Sequence, residues 1–183
     1  GPAIKSYMMG KAPPAFDLLY WNGDGTNLPA KMSVEYLRGL CQNDEFATKG
    51  FEIAGEIVKL EEVSVPLCAI ACETDHIAAW KSSYAGVQKM GSKDKTFILS
   101  ESGHIAGIVN PPSKNKYGHY TNPESGLTAD DWLASADKHD GSWWPRWDAW
   151  LSKKSGKKVP ARTPGDDNHP VLAAAPGTYV VSK

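Results

Sequence analysis

Residues 65–112 read VPLCAIACETDHIAAWKSSYAGVQKMGSKDKTFILSESGHIAGIVNPP, and the fold follows from how this stretch divides. Pro66 to Cys72 is an unbroken apolar run, the pattern of a strand covered on both faces of a parallel sheet. It ends in Glu73-Thr74-Asp75-His76. Thr96 to Ser100 is a shorter run of the same kind and opens into Glu101-Ser102-Gly103-His104. Between them, Ala79 to Met90 spaces Trp80, Tyr84 and Val87 along one helical face, and Gly91 is placed to end that helix in a left-handed turn. The expectation is a βαβ unit, two parallel strands joined by a crossover helix.

Reacting groups in open α/β sheets gather beyond the carboxyl ends of the strands. Asp75 and His104 each follow one of the two strands, so both are expected on the same rim, within reach of each other. A crossover helix plus one strand fills the 29 residues between them (104 − 75) comfortably. An acid after one strand and a histidine after the next is the chain order of the last two members of the α/β-hydrolase triad of nucleophile, acid and histidine. His104 has the ring that titrates nearest neutrality, suited to shuttling a proton. Asp75 can hold that ring in one tautomer and stabilise the imidazolium. His76, next to Asp75 in sequence, is read as a supporting residue outside the reacting pair.

Three stretches carry a family resemblance: ETDHIAAW (Glu73 to Trp80), SGHIAGIVNPP (Ser102 to Pro112) and HDGSWWPRWDAWL (His139 to Leu151). Together they resemble the C-terminal part of class I polyhydroxyalkanoate synthases, which polymerise 3-hydroxyacyl-CoA thioesters into storage polyester. The similarity runs from LLYWNGDGTNLP (Leu18 to Pro29) to APGTYV (Ala175 to Val180) and is weakest around Asn43 to Glu62. It implies a C-terminal portion of an α/β-hydrolase fold preceded by part of the cap. Residues 1–2 resemble the remnant of a cleaved tag, 3–45 are expected to be part of the cap, and 46–183 the C-terminal part of the core with an extended tail. It further implies Asp75 and His104 as the acid and histidine of a Cys-Asp-His triad. The family also offers Asp75 a second task, helping to deprotonate the incoming 3-hydroxyl. The nucleophilic cysteine of the family sits in a GxCxG elbow; no cysteine here does, so the chain is expected to be inactive alone. Partners implied are the 3-hydroxyacyl-CoA, the growing polyester, the N-terminal remainder of the same enzyme, a second copy in a homodimer and the polymer granule surface.

Composition narrows the classes. The chain has 183 residues, a formal net charge of −1 and no basic stripe for nucleic acid. No apolar run approaches the ~18 residues of a membrane span, and no signal-peptide pattern is present, so a cytoplasmic protein is expected; association with polymer granules is what the resemblance implies. Three cysteines without CxxC spacing fit a reducing compartment. Cys68 and Cys72 point to one face of a strand and are read as packing groups. His119, His139 and His169 lie too far apart in sequence to suggest a metal, and no Gly-rich nucleotide loop is present. No cofactor is expected, CoA entering only as the acyl carrier.

Along the rest of the chain, Tyr7 to Pro29 is expected to be a long loop with a short helical stretch at Phe16 to Trp21. Ser33 is placed to cap a half-buried helix through about Asp44, with Val34, Leu37 and Cys41 as its stripe. A hairpin is expected around Ala54-Gly55, an exposed loop over Lys114 to Asn122, and a helix from Thr128 to about Asp137 with a capping box. Ser142 can cap a last helix whose Trp143, Trp147, Trp150 and Leu151 are expected to pack on the sheet. An extended piece is expected at Tyr179 to Val181. Two other readings compete: a thioesterase, lipase or depolymerase of the same fold, and a non-catalytic module that binds granules or partners through the tryptophan helix.

Overall fold

A computed structural model describes residues 4–12 and 25–178. The tag remnant, the Phe16–Trp21 stretch and the Tyr179–Val181 piece lie outside the described residues.

The stretch 65–112 forms the expected unit. β3 (Leu67–Cys72) runs parallel to β4 (Lys95–Ser100), with Leu67 opposite Lys95 and Cys72 opposite Ser100, and helix α3 (Trp80–Lys89) crosses between them. Trp80, Tyr84 and Val87 are buried and meet Ala71, Phe97 and Leu99 from the strands. Trp132, 1% exposed, completes this cluster. Its ring meets Phe97 edge-on at 5.2 Å, and Tyr84 meets Phe97 the same way at 5.1 Å, the arrangement aromatic quadrupoles favour. The Tyr84 hydroxyl donates to the Leu127 carbonyl at 3.2 Å, so the buried ring keeps its polar tip paired. Ile98 and Ser100 alternate with the core residues of β4, point to the opposite face, and are also fully buried.

Gly91 does its work differently from the expectation. Its φ is not left-handed, and Met90 leaves the helix in extended geometry. A Cβ on Gly91 would lie 1.9 Å from the Glu61 carbonyl oxygen, so glycine is required there for close backbone approach.

Two short strands extend the sheet in the order β3-β4-β5-β6: β5 (His119–Thr121) antiparallel to β4, and β6 (Asp137–His139) antiparallel to β5. This corrects the exposed loop expected over Lys114 to Asn122, since His119 is 4% exposed. It also shortens the expected helix: α4 (Ala129–Ala134) stops before Asp137, which enters β6 instead. Thr128 caps its start as expected, but the second bond runs from the Thr128 hydroxyl and not from its backbone N–H, so the capping box is not completed. Thr128 Oγ1 accepts from the Asp131 N–H at 3.2 Å and donates to the Asp131 carboxylate at 2.7 Å. The sheet is thus mixed, and β3 and β6 are its edge strands among the described residues.

Ahead of the sheet, α1 (Ala30–Glu35) continues into a wide-turned segment, Tyr36–Gln42, followed by α2 (Glu45–Thr48). The helix begins at Ala30 and Ser33 lies inside it, its hydroxyl donating to the Pro29 carbonyl. The expected half-buried stripe is mostly in solvent: Val34 is 47%, Tyr36 53% and Leu37 58% exposed, and Cys41 is exposed too. Strands β1 (Phe51–Ile53) and β2 (Glu56–Val58) form the hairpin around Ala54 and Gly55, whose φ values of 53° and 87° suit a tight turn of this hand. The last helix, α5 (Trp144–Lys154), starts after Ser142, whose hydroxyl accepts from the Trp144 N–H at 3.1 Å. It is tied to the sheet end by an ion pair between Lys154 and Asp94.

Candidate active site

The ladder between β3 and β4 does not stop at the strand ends. The Glu73 N–H donates to the Ser100 carbonyl at 2.8 Å and the Thr74 N–H to the Ser102 carbonyl at 3.0 Å. These bonds tie the turn carrying Asp75 to the turn carrying His104. Asp75 sits in a tight turn of its own, its Oδ1 accepting from the N–H groups of Ile77 at 2.8 Å and Ala78 at 2.9 Å. Its Oδ2 accepts from His104 Nδ1 at 2.8 Å. The structure therefore brings the two residues together on one rim of the sheet.

The electrostatics follow from that geometry. The Asp75 carboxyl is held down to about 2 from its ordinary 3.8, first by the Ala78 N–H, then by His104 and the Ile77 N–H, against an opposing effect of burial. Asp75 is thus an ionised acceptor at neutral pH. Its side chain is only 7% exposed, whereas that of His104 is 45% exposed. Because Nδ1 is occupied by Asp75, Nε2 is the nitrogen free to take a proton from outside. His76 is exposed. Backbone groups of Ile77 and Ala78 supply the support to Asp75 that sequence proximity assigned to His76.

The turn that carries His104 is heavily braced. Ser102, rather than Gly103, takes the left-handed conformation, with φ of 74°, a conformation costly for a residue with a side chain and frequent near functional groups. The Ser100 hydroxyl donates to the Gly107 carbonyl at 2.8 Å, and the Gly107 N–H donates to the Gly103 carbonyl at 2.9 Å. A Cβ on Gly107 would meet Cys72 Sγ at 2.6 Å and the Glu101 carbonyl at 2.8 Å, so the turn closes directly onto the end of β3. Glu101 accepts from the Gly118 N–H at 2.7 Å and pairs with Lys138 at 2.7 Å; the lysine, then that N–H, hold its carboxyl below the usual range. Nothing in the local sequence around Glu101 marks it, because both partners lie on β5, β6 and the chain leading into them.

Cys72 is buried, and burial, followed by the charge of Asp75, pushes its thiol pKa up; burial does the same to Cys68. A raised pKa leaves less thiolate at neutral pH. Cys41 is exposed in the Tyr36–Gln42 segment. No group of His, Cys, Asp and Glu able to hold a metal ion is present among the described residues. His119 and His139, far apart in sequence, do stack, with ring centres 5.1 Å apart. His119 Nδ1 donates to the Gly141 carbonyl at 3.0 Å and its Nε2 accepts from Arg146 Nε at 3.1 Å, which leaves the ring no lone pair for a metal.

The tryptophan helix departs from the expected core packing. Trp143 is 9% exposed, but Trp144 is 37% and Trp147 38% exposed. Both line an open apolar hollow of about 640 Å³ with Ile108, Val109, Pro112 and Pro145. Of the expected face, Trp143 and Trp147 border the turn after His104, while Trp150 lies beside Thr96, Phe97 and Thr121 of the sheet.

A mixed α/β sheet that presents an ionised carboxylate and an imidazole at the ends of adjacent parallel strands has the layout used by enzymes that transfer acyl groups. The comparisons make the class specific. No protein-family model matches the chain. Over 98% of its length it is 46% identical to a poly(3-hydroxyalkanoate) polymerase of Methylorubrum extorquens and 40% identical to the poly(3-hydroxyalkanoate) polymerase subunit PhaC of Cupriavidus necator. It is 38% identical over 98% of its length to poly(3-hydroxyalkanoate) polymerase 2 of Ectopseudomonas oleovorans. The chain belongs to the poly(3-hydroxyalkanoate) polymerase family. It spans 30% to 32% of the length of these three curated relatives. No helix among the described residues is long and apolar enough to cross a membrane.

Proposed function

We propose that the chain is the C-terminal part of a class I polyhydroxyalkanoate synthase and contributes the acid and histidine of its triad. The observation that carries this reading is the 2.8 Å bond between Asp75 and His104 at the ends of β3 and β4. In this reading residues 3–45 belong to the cap and the sheet is part of an α/β-hydrolase core. The sulfur nucleophile comes from a part of the polymerase beyond these 183 residues, since no cysteine here sits in a GxCxG elbow and Cys68 and Cys72 are packed with raised thiol pKa values.

The chemistry is a two-step acyl transfer. His104 Nε2 takes the proton of the cysteine thiol, and the thiolate attacks the thioester carbonyl of a 3-hydroxyacyl-CoA. The C–S bond to CoA breaks, and the imidazolium returns its proton to the departing CoA sulfur. The 3-hydroxyl of a further acyl unit then gives up its proton to the same nitrogen and attacks the acyl-enzyme, extending the polyester by one ester bond and freeing the thiol. Asp75 fixes the Nδ1–H tautomer and stabilises the imidazolium in both steps. The reaction runs at a granule surface in the cytoplasm, on a homodimer.

A hydrolase on the same fold shares Asp75 and His104 but uses water as acceptor. Incubating the intact polymerase with 3-hydroxybutyryl-CoA separates the two: polymer with stoichiometric CoA is expected, and free 3-hydroxybutyrate in its place overturns the reading. A non-catalytic granule-binding module gains some support from the exposure of Trp144 and Trp147. It has no use for an ionised carboxylate bonded to an accessible imidazole, and we favour the enzyme.

A further inference from the structure

We infer that Trp143 is a positioning residue for His104, and that Trp144 assists it, through indole N–H bonds to two consecutive carbonyls of the turn that follows the histidine. Trp143 Nε1 donates to the Gly107 carbonyl at 2.9 Å and Trp144 Nε1 donates to the Ile108 carbonyl at 2.9 Å. The Gly107 carbonyl also accepts from Ser100, at the end of β4, so it is pinned from both the sheet and α5. The Gly107 N–H in turn holds the carbonyl of Gly103, the residue directly before His104. One continuous path of hydrogen bonds therefore runs from the Trp143 indole to the backbone that aims the imidazole at Asp75.

The two tryptophans differ in a way that ranks them. Trp143 is 9% exposed and its bond is buried, whereas Trp144 is 37% exposed and its bond lies one residue further from His104. Without the indole the buried Gly107 carbonyl is held by Ser100 alone, pinned from the sheet but no longer from α5, and no water replaces the lost donor. Trp150 offers an internal control: its buried Nε1 has no hydrogen-bond partner among the described residues. Trading that indole for a phenyl ring removes bulk but breaks no bond.

This inference rests on His104 acting in the reaction, and the experiment separates the two claims. Trp143→Phe, Trp144→Phe and Trp150→Phe are introduced singly into the intact polymerase, with His104→Gln alongside. CoA release from 3-hydroxybutyryl-CoA is measured as kcat and KM per folded molecule, with thermal unfolding recorded for each. Misplacing a reacting group by about 1 Å can cost ~100-fold, so Trp143→Phe is expected to lower kcat by about 10- to 100-fold with KM within about twofold. Trp144→Phe is expected to lower it less, and Trp150→Phe not at all. A purely structural role moves the unfolding midpoint and leaves kcat per folded molecule unchanged. If Trp143→Phe matches Trp150→Phe in kcat while His104→Gln abolishes turnover, the positioning claim fails and the functional reading stands. Full activity in His104→Gln overturns both.

Discussion

At the scale of single residues, the site is a study in what holds a carboxylate ionised. Asp75 accepts two backbone N–H bonds and one imidazole bond, and its pKa falls to about 2. The folded-state pKa lies below the unfolded value of 3.8, so this group stabilises the fold above that value. The contribution is lost as pH falls from about 3.8 towards about 2. Acid unfolding followed by circular dichroism is expected to show a component in that window that Asp75→Asn removes; an unchanged acid limb in the variant contradicts the assignment. The two residues of the pair were legible in the sequence because each follows an apolar run and sits in a stretch, ETDHIAAW or SGHIAGIVNPP, that carries the family resemblance. Their supports were not. Ile77 and Ala78 act through backbone N–H groups, which no side-chain pattern reveals, and Glu101 finds Lys138 and Gly118 only after the sheet has formed.

At the scale of elements, long apolar segments announced themselves and short polar ones did not. α3 and β4 bury their apolar faces, so periodicity and burial agree there; β3, expected to be covered on both faces, is buried only at Ala71 and Cys72 because it lies at the sheet edge. β5 and β6 are three residues each and polar in composition; they become strands because a neighbour supplies the ladder, a tertiary cause invisible in local propensity. In the wide-turned Tyr36–Gln42 segment, glycine at 39 answers a tertiary contact: a Cβ there would lie 2.4 Å from the Phe51 ring. The junction of β5, β6 and α5 makes its own prediction. Burial chiefly, then the charges of Arg146 and His139, push the His119 pKa below 6.5, against the Gly141 carbonyl, which raises it. The unfolded chain takes up a proton near 6.5 that the folded chain refuses, so stability declines as pH falls below that value. The urea midpoint is expected to be lower at pH 5.5 than at pH 7.5, and His119→Gln to flatten that difference. A midpoint difference unaltered by the substitution argues against His119 as its source.

At the scale of the whole molecule, the mixed sheet ends on β3, a six-residue apolar edge strand. Unpaired edges of that kind invite a further strand, and the apolar side chains exposed around α1 and the β1–β2 hairpin invite cover. In the proposed enzyme the rest of the polymerase provides both. The 183-residue chain by itself is therefore expected to self-associate, and sedimentation velocity over a hundredfold dilution checks this; a folded monomer at every concentration runs against the expectation.

The account turns on His104 as the base that Asp75 aims. The most direct test is the initial rate of CoA release from 3-hydroxybutyryl-CoA by the intact polymerase carrying His104→Gln, which preserves a polar side chain but cannot carry the proton. Since general-base catalysis contributes ~10² to 10⁴-fold, the rate is expected to fall by at least ~100-fold with the protein still folded. A folded variant that keeps the wild-type rate contradicts the account.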